Sequence, residues 1–69
     1  MKNKISDRLK ELLKEKGITS SKLATDLGVS KSVVHYWVNG NTTPNVDYVI
    51  KLALYFSVSS DFLLGLSED

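Results

Sequence analysis

The chain reads as an all-α protein, a compact bundle of five short helices. Three observations predict this. Apolar residues recur at intervals of three and four in five successive segments. Four glycines, Gly17, Gly28, Gly40 and Gly65, each stand just after such a segment, where glycine is the usual left-handed helix terminator. Nowhere do apolar and polar residues alternate with the period of a strand.

The first helix is expected from about Ser6 to Lys16. Ile5, Leu9, Leu12, Leu13 and Lys16 fall on one stripe with charges opposite, and Gly17 closes it. Thr19 supplies a capping oxygen for a short second helix, Ser20 to Leu27, whose apolar positions are Leu23, Ala24 and Leu27. Gly28 and Val29 make a turn. Ser30 then caps a third helix from about Lys31 to Asn39, ended by Gly40.

The stretch NGNTTPN is a loop, because Asn-Gly, paired threonines and the chain's one proline favour turns over helical bonds. Asn45 caps a fourth helix, Val46 to Phe56, with Val46, Val49, Ile50, Ala53 and Phe56 as its expected inward stripe. A last short helix starts around Val58-Ser59-Ser60-Asp61, runs through Leu64 and ends at Gly65. The first three or four residues and Ser67-Glu68-Asp69 read as loose ends.

With 69 residues and 7.7 kDa the chain forms a single domain over 1–69, able to bury roughly 60% of its unfolded surface. Its 42% hydrophobic and 25% charged residues match a globular protein and not a disordered one. Having no cysteine, it has no disulfide framework and no thiolate zinc site. The longest apolar run, Leu52 to Phe56, is far short of the roughly 20 residues of a membrane span, and the polar start is no signal peptide. The expectation is a soluble cytoplasmic protein.

Net charge is +1, but residues 1–31 hold eight Lys/Arg against four Asp/Glu, whereas residues 32–69 hold one against four. A basic half followed by an acidic half can orient a molecule against a polyanion. His35 is the sole histidine; without cysteine or a carboxylate pair beside it, it makes neither a metal site nor a triad. No enzymatic activity, cofactor, metal or small-molecule ligand is expected. The glycines are too far apart for a phosphate-cradling loop.

The informative stretch is SSKLATDLGVSKSVVHYWVNG, residues 20–40. Two short helices joined by a three-residue turn with glycine are the sequence form of a helix-turn-helix. The crossing needs a small residue, which is Ala24, and a residue free to take positive φ, which is Gly28. Leu23, Leu27, Val29, Val34 and Trp37 supply apolar contacts around it. Stepping about 100° per residue along the third helix turns Val34, Trp37 and Val38 to the core. Ser32, His35, Tyr36 and Asn39 then face out, with Val33 on the flank and Lys31 at the exposed start.

With these residues in place, the chain resembles the lambda-repressor-like, Cro-type family of helix-turn-helix DNA-binding domains. The resemblance covers nearly all of residues 5–66 and includes the closing pattern TPNVDYVIKLALYFSVSSDFLLG. It implies a five-helix DNA-binding fold that reads double-stranded DNA through the third helix. Base reading then falls to Lys31, Ser32, Val33 and Tyr36. Lys31 suits guanine O6 or N7, Ser32 several base edges, and Val33 a thymine methyl.

Phosphate contacts are expected from Ser20, Ser21, Lys22, His35, Asn39, Asn41, Thr42 and Thr43, the first two at a helix N-terminus. Most of these donors are neutral, which predicts a modest salt dependence carried mainly by Lys22 and Lys31. Three departures from the family pattern stand out. Ser20 replaces a common glutamine, and Lys22 replaces the capping-box acid. Leu13 and Val38 occupy the places of an arginine and glutamate pair, an apolar substitute of comparable stability.

Tyr48, Leu54, Tyr55, Phe62 and Leu66 exceed what the inward stripes need. Tyr55, Phe62 and Leu66 are the expected homodimer interface, which implies an inverted-repeat site with half-sites roughly 34 Å apart. The leading expectation is a sequence-specific transcriptional regulator, a repressor that occupies a promoter. The alternative is a helix-turn-helix scaffold for protein interaction, of antitoxin-like or anti-repressor type. A third reading makes the chain the DNA-reading piece of a longer regulator.

Overall fold

The computed structural model describes residues 4–68. Five helices follow in order: α1 (Ile5–Lys16), α2 (Ser20–Leu27), α3 (Lys31–Asn39), α4 (Val46–Phe56) and α5 (Ser60–Leu64), with no strand among the described residues. The expected order holds throughout. α1 begins one residue earlier than Ser6, and α5 starts only at Ser60.

Local chemistry sets these limits. The first amides of a helix lack intrahelical partners, so a side-chain oxygen there is stabilising by about 1 kcal/mol. Thr19 Oγ1 accepts from Lys22 N at 3.1 Å, Ser30 Oγ from Val33 N at 3.3 Å and Asn45 Oδ1 from Tyr48 N at 3.0 Å. Ser59 Oγ does the same for Phe62 N at 3.0 Å. At the far end of α2, Gly28 takes φ +74. Gly28 N then donates to Thr25 O and Val29 N to Ala24 O, the paired bonds that turn the chain toward α3.

The core draws on every helix: Ile5 and Leu9, Leu23, Val34, Leu52 and Leu63 are all almost completely buried. Ala24 of α2 and Trp37 of α3 are both buried. Leu13 is buried and Val38 half-buried against the same cluster, as expected of an apolar pair. Polar and aromatic ties bind the periphery. Ser6 Oγ donates to the Val38 carbonyl, the Arg8 guanidinium lies 4.4 Å over the Phe62 ring, and the Trp37 and Tyr48 rings sit 5.4 Å apart.

Two expectations about facing need correction. Lys16, placed on the α1 stripe, is exposed. In α4, Val46 and Ile50 are 74% and 49% exposed, while Leu52, left off the stripe, is completely buried. Val49, Leu52, Ala53 and Phe56 form the inward face. Taking about 100° per residue, these four span an arc that leaves Ile50 and Leu54 to the side. The apolar face of α4 is therefore wider than the core can cover.

Candidate nucleic-acid interface

The helix-turn-helix brings the start of α2 against the outer face of α3. Between them lies an open groove of about 310 Å³ lined by Ser20, Ser21, Lys31, Ser32, His35 and Tyr36. Both helices begin at this groove. The Thr19 and Ser30 caps take up Lys22 N and Val33 N. This leaves the amides of Ser20, Ser21, Lys31 and Ser32 without intrahelical acceptors. With the Lys31 ammonium and three serine hydroxyls, these amides make a donor-rich, electropositive concavity suited to an anion.

On α3, the Asn39 side-chain amide and His35 Nε2 are hydrogen-bonded at 2.8 Å. The two side chains thus steady each other on the outer face. Tyr36 is about half exposed, and its carbonyl accepts from Asn41 N at 2.9 Å and Thr42 N at 3.4 Å. This curls Asn41 and Thr42 back over the end of α3.

The remaining expected contacts are dispersed. Val33 is half-buried and does not line the groove. Thr43 borders a separate groove with Pro44, which is buried, and Val46. Lys22 is exposed, but its Nζ lies 3.0 Å from Asp26 Oδ2. Of the three expected interface residues, Tyr55 and Phe62 are half-buried within the chain and Leu66 is 75% exposed.

Asp26 is the residue that sequence reasoning passed over. Its Oδ2 also accepts from Tyr55 Oη at 2.6 Å, so one carboxylate joins α2 to α4 and holds Lys22. The Tyr55 hydroxyl, and after it the Lys22 ammonium, keep the Asp26 carboxyl below its ordinary range. The same bond, followed by burial, pushes the Tyr55 phenol up. The Lys22 to Asp26 half was available in the sequence as an i, i+4 pair; the Tyr55 half was not.

Among the described residues no group of three or more His, Cys, Asp or Glu side chains is placed to hold a metal ion. Nor is any helix there long and apolar enough to cross a membrane.

A sequence profile of the family described as helix-turn-helix matches residues 9–63. The chain is 34% identical over 62 residues to YobD of Bacillus subtilis (strain 168), described as an uncharacterized HTH-type transcriptional regulator. That match covers 90% of this chain and 55% of YobD. It is 32% identical over 63 residues to the HTH-type transcriptional activator BcrR of Enterococcus faecalis, covering 91% of this chain and 31% of BcrR. The chain thus spans about half the length of the first relative and about a third of the second. Among solved structures, a transcriptional regulator from Listeria innocua superposes with a TM-score of 0.89 at 32% identity, over the whole of this chain and 64% of the other.

Proposed function

Because the chain belongs to the helix-turn-helix family of the lambda-repressor, Cro type, we propose that it binds double-stranded DNA sequence-specifically as a transcriptional regulator, with α3 in the major groove. The supporting observation is the groove between α2 and α3, where two helix starts and Lys31 converge on one concavity. A phosphate seated there anchors the start of α2 and sets α3 against base edges.

In this reading Lys31, Ser32 and Tyr36 meet bases, and Val33 meets a thymine methyl from the flank of α3. Ser20 and Ser21 hold a phosphate through amides and hydroxyls. His35 and Asn39 act as a pair, while Asn41, Thr42 and Thr43 touch the backbone beyond α3. Lys22 contributes only as far as Asp26 releases it. The regulator is a homodimer on an inverted repeat and represses by occupying a promoter.

Selection of duplexes from a random library by the purified chain tests this, followed by titration of the selected site with Lys31→Ala and Ser32→Ala. The expected outcome is an enriched inverted repeat, with Lys31→Ala losing about 1 to 3 kcal/mol on that site and less on random DNA. Equal losses on both would demote Lys31 to a phosphate contact. If no duplex is enriched by a folded protein, the DNA reading gives way to the interaction scaffold.

A further inference from the structure

Lys31, His35 and Asn39 follow one another at i, i+4 and i+8 and so lie in one row along the outer face of α3. All three are exposed. His35 lines the groove together with Lys31 and the start of α2, and its Nε2 is bonded to the Asn39 side-chain amide at 2.8 Å. Its Nδ1 has no hydrogen-bond partner among the described residues.

We propose that the His35 and Asn39 pair is a proton-coupled phosphate clamp: His35 takes up a proton as the chain binds a DNA phosphate, so that duplex affinity rises as pH falls through the neutral range. This deepens the DNA reading above, on which it rests.

The hydrogen-bonding capacity of the pair gives the direction. A neutral imidazole has one N–H and one bare nitrogen, and a side-chain amide has a donor end and an acceptor end. When the Asn39 NH2 donates to a bare Nε2, the Asn39 oxygen is left over; when an Nε2–H donates to that oxygen, Nδ1 is left bare. Either arrangement leaves one acceptor unused, whereas phosphate oxygens are themselves acceptors. A proton on both ring nitrogens removes this mismatch. Nε2–H then donates to the Asn39 oxygen, Nδ1–H and the Asn39 NH2 both remain as donors, and the ring carries a positive charge. Hydrogen bonds from charged donors are roughly twice as strong as neutral ones. The protonated pair is thus the phosphate-binding form, and by linkage the phosphate favours the proton as much as the proton favours the phosphate.

The surroundings supply no competing anion. From α3 the groove receives the Lys31 ammonium and the Tyr36 phenol, and from α2 the uncharged Ser20 and Ser21. Lys22 of α2 is paired with Asp26. The loop that curls over the end of α3 brings the uncharged Asn41 and Thr42. α1, bonded to α3 through Ser6 and Val38, bears exposed charges of both signs, Asp7, Lys10, Glu11 and Lys14 among them, and His35 makes no ion pair with any described residue. A bound phosphate is therefore the negative charge that the groove otherwise lacks, and proton uptake accompanies its binding.

The test is fluorescence anisotropy of the full, untagged chain on a labelled random-sequence duplex, between about pH 5.5 and about pH 8, where histidine ordinarily changes charge. Random sequence suffices because phosphate contacts carry no sequence information. Asp26, held low, and Tyr55, held high, titrate outside this window. Affinity is expected to rise about tenfold from the upper to the lower limit, as a neutral contact becomes a charge-assisted one. The slope of log affinity against log salt steepens by about one over the same range, for one added charge. His35→Gln, which hydrogen-bonds but takes no proton here, gives an affinity and a slope that stay flat with pH, with circular dichroism as the folding control; it retains the terminal amine, whose ordinary range is near pH 8. Because His35 is the sole histidine, NMR follows one imidazole, whose titration midpoint moves to higher pH when the duplex is added. An affinity flat with pH, or a pH dependence that survives His35→Gln, overturns the proton coupling and leaves the DNA reading standing. A folded chain that binds no duplex at any pH overturns both.

Discussion

Tyr55 Oη and Lys22 Nζ converge on the same oxygen of Asp26, at 2.6 Å and 3.0 Å. The acid neutralises the one lysine of α2 while tying that helix to α4. Asp26→Asn removes the negative charge at the centre of this arrangement and is expected to free Lys22 for a phosphate. The slope of log affinity against log salt should then steepen by up to about one, with tighter duplex binding at low salt. Filter binding across a salt series reads this directly. An unchanged slope would mean that Lys22 does not reach the DNA in either protein.

The same bond gives stability a pH dependence of fixed sign. The folded Asp26 carboxyl lies below its ordinary value, chiefly through Tyr55 and then Lys22. Its contribution is complete above about pH 4 and is lost as pH falls through the folded value. The Tyr55 phenol is raised, so its contribution is complete below about pH 10 and is lost as pH rises through the raised value. Tyr55→Phe removes the first cause of both shifts. Thermal melts at acid and neutral pH should show the variant less stable than wild type at neutrality and the gap closing in acid. A gap of constant size would assign the loss to packing.

On α4, Leu52→Ala is expected to cost about 2 to 5 kcal/mol, the usual range for emptying a filled core position. Ile50→Ala should cost about 1 kcal/mol or less, because half of that side chain already meets water. Urea titrations of the two variants provide the comparison. Equal costs would contradict the observed rotation of α4.

That contrast shows where the sequence was readable. Caps at Thr19, Ser30 and Asn45, the crossing at Ala24 and the turn at Gly28 are local features, and local chemistry identifies them. The groove joining Ser20 and Ser21 to Lys31, Ser32 and Tyr36 was legible for the same reason, since the two helices are joined by one short turn. α4 was harder because Val46, Val49, Ile50, Leu52, Ala53, Leu54 and Phe56 are all apolar. Periodicity alone cannot choose the centre of so wide a face; packing against the other helices does. The Tyr55 bond to Asp26 spans 29 positions and leaves no periodic trace.

Ser57 is the other feature that glycine spacing could not reveal, and it supports a stabilising substitution. It closes α4 with φ 56 and ψ 42, the only non-glycine residue with positive φ among those described. Ser57 N donates to Leu54 O and Val58 N to Ala53 O, repeating the bond pattern that Gly28 makes after α2. A residue with a Cβ pays about 1 to 2 kcal/mol in this conformation, part of which glycine returns through the greater freedom of its unfolded chain. Ser57→Gly should therefore gain about 0.5 kcal/mol, raising the melting temperature by about 2 to 4 °C. Gly28→Ala is the matched reverse: nothing lies within 4 Å of the added Cβ, so its cost isolates the φ +74 backbone. A rise for the first and a fall for the second would place the strain in the backbone, whereas a fall for both would mean that the exposed Ser57 side chain contributes a stabilising contact of its own.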